Sequence, residues 1–272
     1  MFPTVDVLMP VRIREPKWQT PMTQFAMDAM RRCTDVPFRF VVMETVDDGD
    51  VSGLLSITHA VGADPLWKSV DHHEVVKGPH TFVEKLNLGL AKCTADFVVH
   101  TANDIFVRPG WLEAMLEVFE KIPDAGVATL ASSDLPAPLS TRVDAIMEGV
   151  YGPHMMFRRC WGTGRGLPPE GNWRVNREVS SSSEIPEKRF DRMYENIFSD
   201  TDLIFAHYAA GLRSYRNHRV VIDHLNRATM NGIYTAEQQA RRMEEAKGTF
   251  MRKYKAHSHI RVFQYLATGL VV

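Results

Sequence analysis

Three polar clusters stand where a folded chain could put them to chemical use. Asn103-Asp104 follows the apolar run Phe97-Val98-Val99-His100, Asp200-Thr201-Asp202 opens a segment with helical spacing, and His224 closes the run Arg219-Val220-Val221-Ile222. One carboxylate, a second carboxylate cluster and an imidazole can together hold a hard divalent ion and supply a base. Taken singly, each has an ordinary structural reading: an Asp after a strand is a turn residue, and an Asp at a helix start is a cap. Their order, and the elements that carry them, decide between the two readings. His72-His73 has no partner at metal-ligand spacing and reads as a solvated loop.

Val5 to Met9 is a short β-favouring run stopped by Pro10, which predicts a buried first strand. Pro21 to Arg32 has helical spacing, with Phe25, Ala26, Ala29 and Met30 on one side. Phe38 to Met43 is a second apolar run, followed by Glu44 and an acidic stretch. A helix over Phe82 to Lys92 presents Phe82, Leu86, Leu90 and Ala91 on one face and precedes the strand Phe97–His100. Trp111 to Lys121, entered through Pro109-Gly110, predicts another helix, and Gly126 to Leu130 a fourth strand. Residues 162–186 are rich in Gly and Pro and contain Ser180-Ser181-Ser182-Ser183, the composition of a long flexible loop. Beyond it lie a helix from Asp200 to Gly211, the strand ending at Asp223-His224, and a charged amphipathic helix from Thr235 to Tyr254 on the outside. Such alternation predicts the α/β class, one domain whose mainly parallel sheet is flanked by helices. Ligands of such sheets lie outside the carboxyl ends of the strands.

The chain has 272 residues, 44% hydrophobic and 24% charged, enough for one large domain with a real core. No apolar run approaches the roughly 20 residues of a membrane span, so no integral membrane segment is expected. The first ten residues lack a signal-peptide pattern. Three widely spaced cysteines argue against a disulfide or zinc framework and predict a reducing, cytoplasmic setting. The first 150 residues are net acidic and the remainder net basic. Either the two halves attract across a cleft, or the basic half faces an anion such as a pyrophosphate or a polyanionic acceptor.

The stretch from Ala95 to Leu112, a strand running into Asn103-Asp104 and then through Pro109-Gly110 into Trp111-Leu112, resembles the donor-site segment of family-two glycosyltransferases. Asn87-Leu88-Gly89 resembles that family's N-x-G helix. Ser199-Asp200-Thr201-Asp202-Leu203, with Gly211 and Arg213 after it, resembles its E-D-x-D-L helix, and Phe250 to Tyr254 its F-x-x-K-W ending. The resemblance covers roughly residues 4–255. It implies a GT-A, Rossmann-like fold, with residues 1–130 as the donor half and residues 131–272 as the acceptor half. It implies inverting transfer of a sugar from a nucleotide-diphosphate-sugar, a UDP-sugar first among them, with Mn²⁺ or Mg²⁺. Asp104 and His224 would be metal ligands and Asp200 the base. Pro10, Arg12, Glu44, Asn103 and Asp104 would face the donor. Asp202, on the acceptor side, would orient its helix; apart from the resemblance, the interleaving of aromatic and basic residues around Trp161 and Trp173, and the loop arginine Arg165, read as acceptor-side. Two features depart from the family pattern: Ala102 and Asn103 leave a single carboxylate in the D-x-D-like motif, and Ser199 replaces an acidic neighbour of the base.

The acceptor is left open between a glycan, a lipid-linked sugar and the hydroxylated bases of a nucleic acid, the last kept open by the basic second half. A nucleotidyltransferase would carry a Gly-rich loop after the first strand, where this chain reads Pro10-Val11-Arg12-Ile13-Arg14-Glu15-Pro16. A module that binds a nucleotide or glycan without turnover is the non-enzymatic alternative.

Overall fold

The computed structural model describes residues 3–14, 16–46, 71–78, 80–133, 146–148, 155–159, 190–195, 198–209, 212–225 and 235–253. The first strand, β1 (Val5–Arg12), does not stop at Pro10. Leu8 accepts from the Thr101 amide, so its backbone polar groups point toward the neighbouring strand on that side. Two residues on, Pro10 points the same way, but that neighbour pairs with β1 only as far as Leu8. The missing N–H therefore breaks no ladder bond. Helix α1 (Pro16–Arg32) likewise starts earlier than its apolar spacing suggests, with Pro16 at its first position and Pro21 inside. A first-position proline lacks only an amide that no helix uses.

Strand β2 (Arg39–Val46) runs parallel to β1 and extends through Glu44. Glu44 is therefore inside the strand and buried, not in a loop after it. Strand β3 (His72–Lys77) pairs parallel to β2, so His72-His73 is strand rather than solvated loop. His73 Nε2 lies 3.0 Å from the Glu44 carboxylate, and the Lys92 ammonium pairs with Glu74 at 2.9 Å. These partners lie far away in sequence, which is why so polar a strand gives no local signal.

Helix α2 (Phe82–Leu90) opens on a capping box, with Thr81 accepting from the Glu84 amide and Glu84 from the Thr81 amide. Its N-x-G residues have packing roles. Asn87 clamps Phe190 through both backbone groups, donating to its carbonyl and accepting from its amide. Gly89 lets the helix lie against the sheet: a Cβ there would sit 2.2 Å from Leu8 Cδ1 and 2.8 Å from Met43 Cγ.

Strand β4 (Phe97–His100) pairs with the other edge of β1. Gly110, with φ 80°, turns the chain into α3 (Trp111–Lys121), where fully buried Trp111 donates its indole N–H to Met30 O. Strands β5 (Ile105–Phe106), β6 (Ala125–Ser132), β7 (Ile146–Glu148), β8 (Met156–Arg159) and β9 (Arg213–His224) complete the sheet, with helices α4 (Ser199–Ala209) and α5 (Ala236–Lys253). The strand order is β3-β2-β1-β4-β8-β6-β9-β5, with β7 beside β9. Strands β3, β2, β1 and β4 are parallel, as are β6 and β9, and antiparallel β8 joins the two groups.

One face of the sheet packs Val5, Val7, Met9 and Val11 against Met27 and Met30 of α1 and Trp111 and Met115 of α3. The other packs Leu8, Met43, Val98 and Val127 against Leu86 of α2, Leu203 and Ile204 of α4 and Phe250 of α5. The chain winds outward from β1 to β3, then crosses back to β4 on the opposite side. The strand order thus reverses between β1 and β4, the crevice where an open α/β sheet takes its ligand.

Candidate functional site

The loop after β4 descends at that reversal and carries Asn103 and Asp104, both buried. The two-residue strand β5 pairs antiparallel with the end of β9, Ile105 against His224. The Leu225 amide donates to Asp104 O at 3.0 Å, which fixes the backbone of the loop. Arg108 then forms a bidentate pair with Asp223 that ties the same antiparallel pair of strands. The outcome is that Asp104 Oδ2 and His224 Nε2, 120 positions apart in sequence, stand 3.8 Å from one another.

A carboxylate and an imidazole in this setting suit a divalent ion held at two points, with ligand phosphates and water completing its shell. Among the described residues no group of three or more His, Cys, Asp or Glu forms a closed metal cage.

The other donor-side candidates divide. Asn103 turns away from solvent and donates to Thr23 Oγ1 at 2.8 Å, while that hydroxyl donates to Gln19 O, so the side chain docks the loop on α1. Glu44 faces the α1 side of the sheet against His73. Pro10 and Arg12 end β1 at the open edge of the crevice. Lys85, in the first turn of α2, is only 6% exposed, and sequence reasoning missed it. The signal was available, since Lys85 lies four residues before Gly89, on the row of α2 that meets the sheet.

Asp200 and Asp202 occupy the first turn of α4 in different environments. Asp200 accepts from the Thr201 amide at 2.8 Å. Burial, with a smaller push from Asp202, raises its pKa above the ordinary carboxylate range, although local hydrogen bonds oppose this. Asp202 is the fourth residue of α4, not a cap. It is 4% exposed and receives the Lys253 ammonium at 2.8 Å and the Tyr194 hydroxyl at 3.4 Å. Lys253 also pairs with Asp191 at 2.7 Å. The end of α5 is thereby tied to the start of α4, and Phe198, at φ 67°, packs on Phe250 at the same junction.

Burial keeps two histidines neutral, His207 of α4 and His100 of β4. His207, its pKa pushed down to about 4, bonds through Nδ1 to Leu203 O at 2.7 Å. His100 accepts from Arg158 Nε at 2.9 Å, and its pKa is lowered by burial and by the Arg158 charge. Trp161, Arg165, Trp173 and the 162–186 loop lie outside the described residues.

This strand order, with its crevice between β1 and β4, is a GT-A-like glycosyltransferase fold, and solved structures bear that out. The chain is similar to the mannosyltransferase PcManGT from Pyrobaculum calidifontis in complex with GDP-Man and Mn²⁺, with a TM-score of 0.60 and 15% identity over 97% of this chain and 70% of that one. It is also similar to residues 1–349 of S. aureus TarS in complex with UDP-GlcNAc, with a TM-score of 0.57 and 13% identity over 97% and 70%. A mycobacterial protein gives a TM-score of 0.56 at 14% identity, over 94% and 76%. No family model matches the sequence, and no curated protein matches it. Among the described residues, no helix is long and apolar enough to cross a membrane.

Proposed function

We propose that the protein is an inverting glycosyltransferase that moves a sugar from a nucleotide-diphosphate-sugar to an acceptor hydroxyl. The observation that carries this reading is the meeting of Asp104 and His224, 3.8 Å apart, at the strand-order reversal of a GT-A-like sheet. The complexes of similar proteins with GDP-Man and Mn²⁺ and with UDP-GlcNAc supply the ligand class. Asp104 and His224 would hold a divalent ion, Mn²⁺ or Mg²⁺, which neutralises the charge that develops on the diphosphate leaving group.

The remaining chemistry belongs to the chain. The acceptor oxygen attacks the anomeric carbon as the bond to the phosphate oxygen breaks, and that electron pair leaves with the nucleoside diphosphate. Asp200 takes the hydroxyl proton. Its raised pKa suits a base, because it strengthens the hold on the incoming proton. Asp202, bonded to Lys253 and Tyr194, holds the helix that presents Asp200. A single displacement needs one base and no covalent nucleophile.

A thermal-shift series with UDP- and GDP-sugars, with and without Mn²⁺, tests the reading. Ligand at 100 times its Kd stabilises the folded state by about 2.7 kcal/mol. A shift that requires both nucleotide-sugar and metal is expected. The absence of any shift across the series would exclude a nucleotide-sugar enzyme.

A further inference from the structure

Lys85 is an unusual residue to find inside a protein. It is 6% exposed, and its ammonium has no carboxylate, carbonyl or hydroxyl partner among the described residues. Its sequence neighbour Glu84 is engaged elsewhere, accepting from the Thr81 amide and standing 3.7 Å from His80 Nδ1. Burial works against the ammonium, and so does the nearby cation Arg12; together they lower its pKa to about 8. Holding a lysine side chain largely away from water beside a second cation is costly.

The two cations come from elements that end at the same edge. Arg12 is the last residue of β1, and Lys85 lies in the first turn of α2, which packs on β1 through Gly89. Both therefore face the end of the sheet at which β4 leads into the Asp104 loop. We infer that Lys85, with Arg12 beside it, is a donor-positioning residue that binds a phosphate of a nucleotide ligand, a protein-borne anion subsite separate from the Asp104–His224 pair. A phosphate that enters between the two cations turns their repulsion into two attractions. A lysine ammonium suits this role as a compact point charge for phosphate oxygens. The inference rests on the nucleotide-sugar reading for the identity of the ligand.

The test is calorimetric titration in EDTA, which removes the contribution of any metal, with uridine, guanosine, UDP and GDP as probes. Wild type should bind a nucleoside diphosphate more tightly than its nucleoside. Lys85→Met, close to isosteric, should weaken that diphosphate by about 10- to 100-fold, the worth of a hydrogen bond to a charged group, and leave the nucleoside unchanged. Lys85→Gln should show the same selective loss and provides the measurement if the Met variant does not fold. Equal diphosphate affinity in variant and wild type overturns the inference, and so does an equal loss for nucleoside and diphosphate. Turnover of nucleotide-sugars with Mn²⁺ is measured alongside. Wild type that turns over donor while the variants keep full affinity in EDTA refutes the Lys85 subsite and leaves the transfer reading standing. Wild type that neither turns over donor nor binds either diphosphate refutes both.

Discussion

Asp202→Asn is the substitution that most sharply separates a structural from a chemical role at the start of α4. In the wild type the carboxylate is 4% exposed and lies 2.8 Å from Lys253, whose ammonium also meets Asp191 at 2.7 Å. Breaking a buried ion pair by removing one partner costs about 3–5 kcal/mol. Here Asp191 remains on the ammonium and an Asn oxygen can still accept one hydrogen bond, so the expected loss is about 2–3 kcal/mol. For a chain of this size that lowers Tm by roughly 4–12 °C. Urea and thermal unfolding of Asp202→Asn, Lys253→Met and the double variant form a cycle. The double variant should be less destabilised than the sum of the singles, because it leaves no uncompensated charge from this pair. An Asp202→Asn protein with wild-type Tm and no transfer activity would refute the reasoning and make Asp202 the chemical group.

The companion substitution Asp200→Asn should lower turnover by about 10²–10⁴-fold and leave donor affinity unchanged. Because burial raises the Asp200 pKa, its ionised form costs stability that is absent below pH 3.8 and grows as pH rises through the folded-state value. The Asn variant should therefore match or exceed wild-type Tm at pH 7, and a lower Tm would contradict this. For His207, depressed to about 4 in the folded protein, stability is present above pH 6.5 and is lost as pH falls from 6.5 toward 4. The loss is about 3 kcal/mol, and His207→Asn should flatten the acid limb of the stability curve over that window. Gly89→Ala should cost about 1–3 kcal/mol in urea unfolding, since its Cβ would meet buried Leu8 and Met43 at 2.2 and 2.8 Å. An unchanged midpoint would mean that α2 is free to shift.

The elements legible in the sequence are those whose apolar pattern is local. Strand β4 and helix α3 have the boundaries their residues suggest, one as an unbroken apolar run and the other as a helix entered through Pro109-Gly110. Strands β3 and β8 were not legible, because their polar residues find partners only in three dimensions: His73 on Glu44, and Arg158 on His100. The first half of β9, Arg213 to His218, reads as polar for the same reason. Its Asn217 donates to Ala114 O of α3, and the adjacent Arg219 pairs with Glu117. The order of the polar clusters singled out Asp104 and His224, but that they stand 3.8 Å apart could not be read from one dimension. Lys85 was hidden by its type, since a lysine on a helix is ordinarily solvated.

Nucleoside diphosphate release from UDP- and GDP-sugars in Mn²⁺, compared between wild type and Asp104→Asn, tests the central claim most directly. Wild type should release the diphosphate, faster when an acceptor hydroxyl is supplied. The folded Asp104→Asn variant should be slower by about 10²-fold or more, the scale of a lost electrostatic contact to the leaving group. Equal rates in the two proteins, or no release by wild type from any donor, would contradict the account.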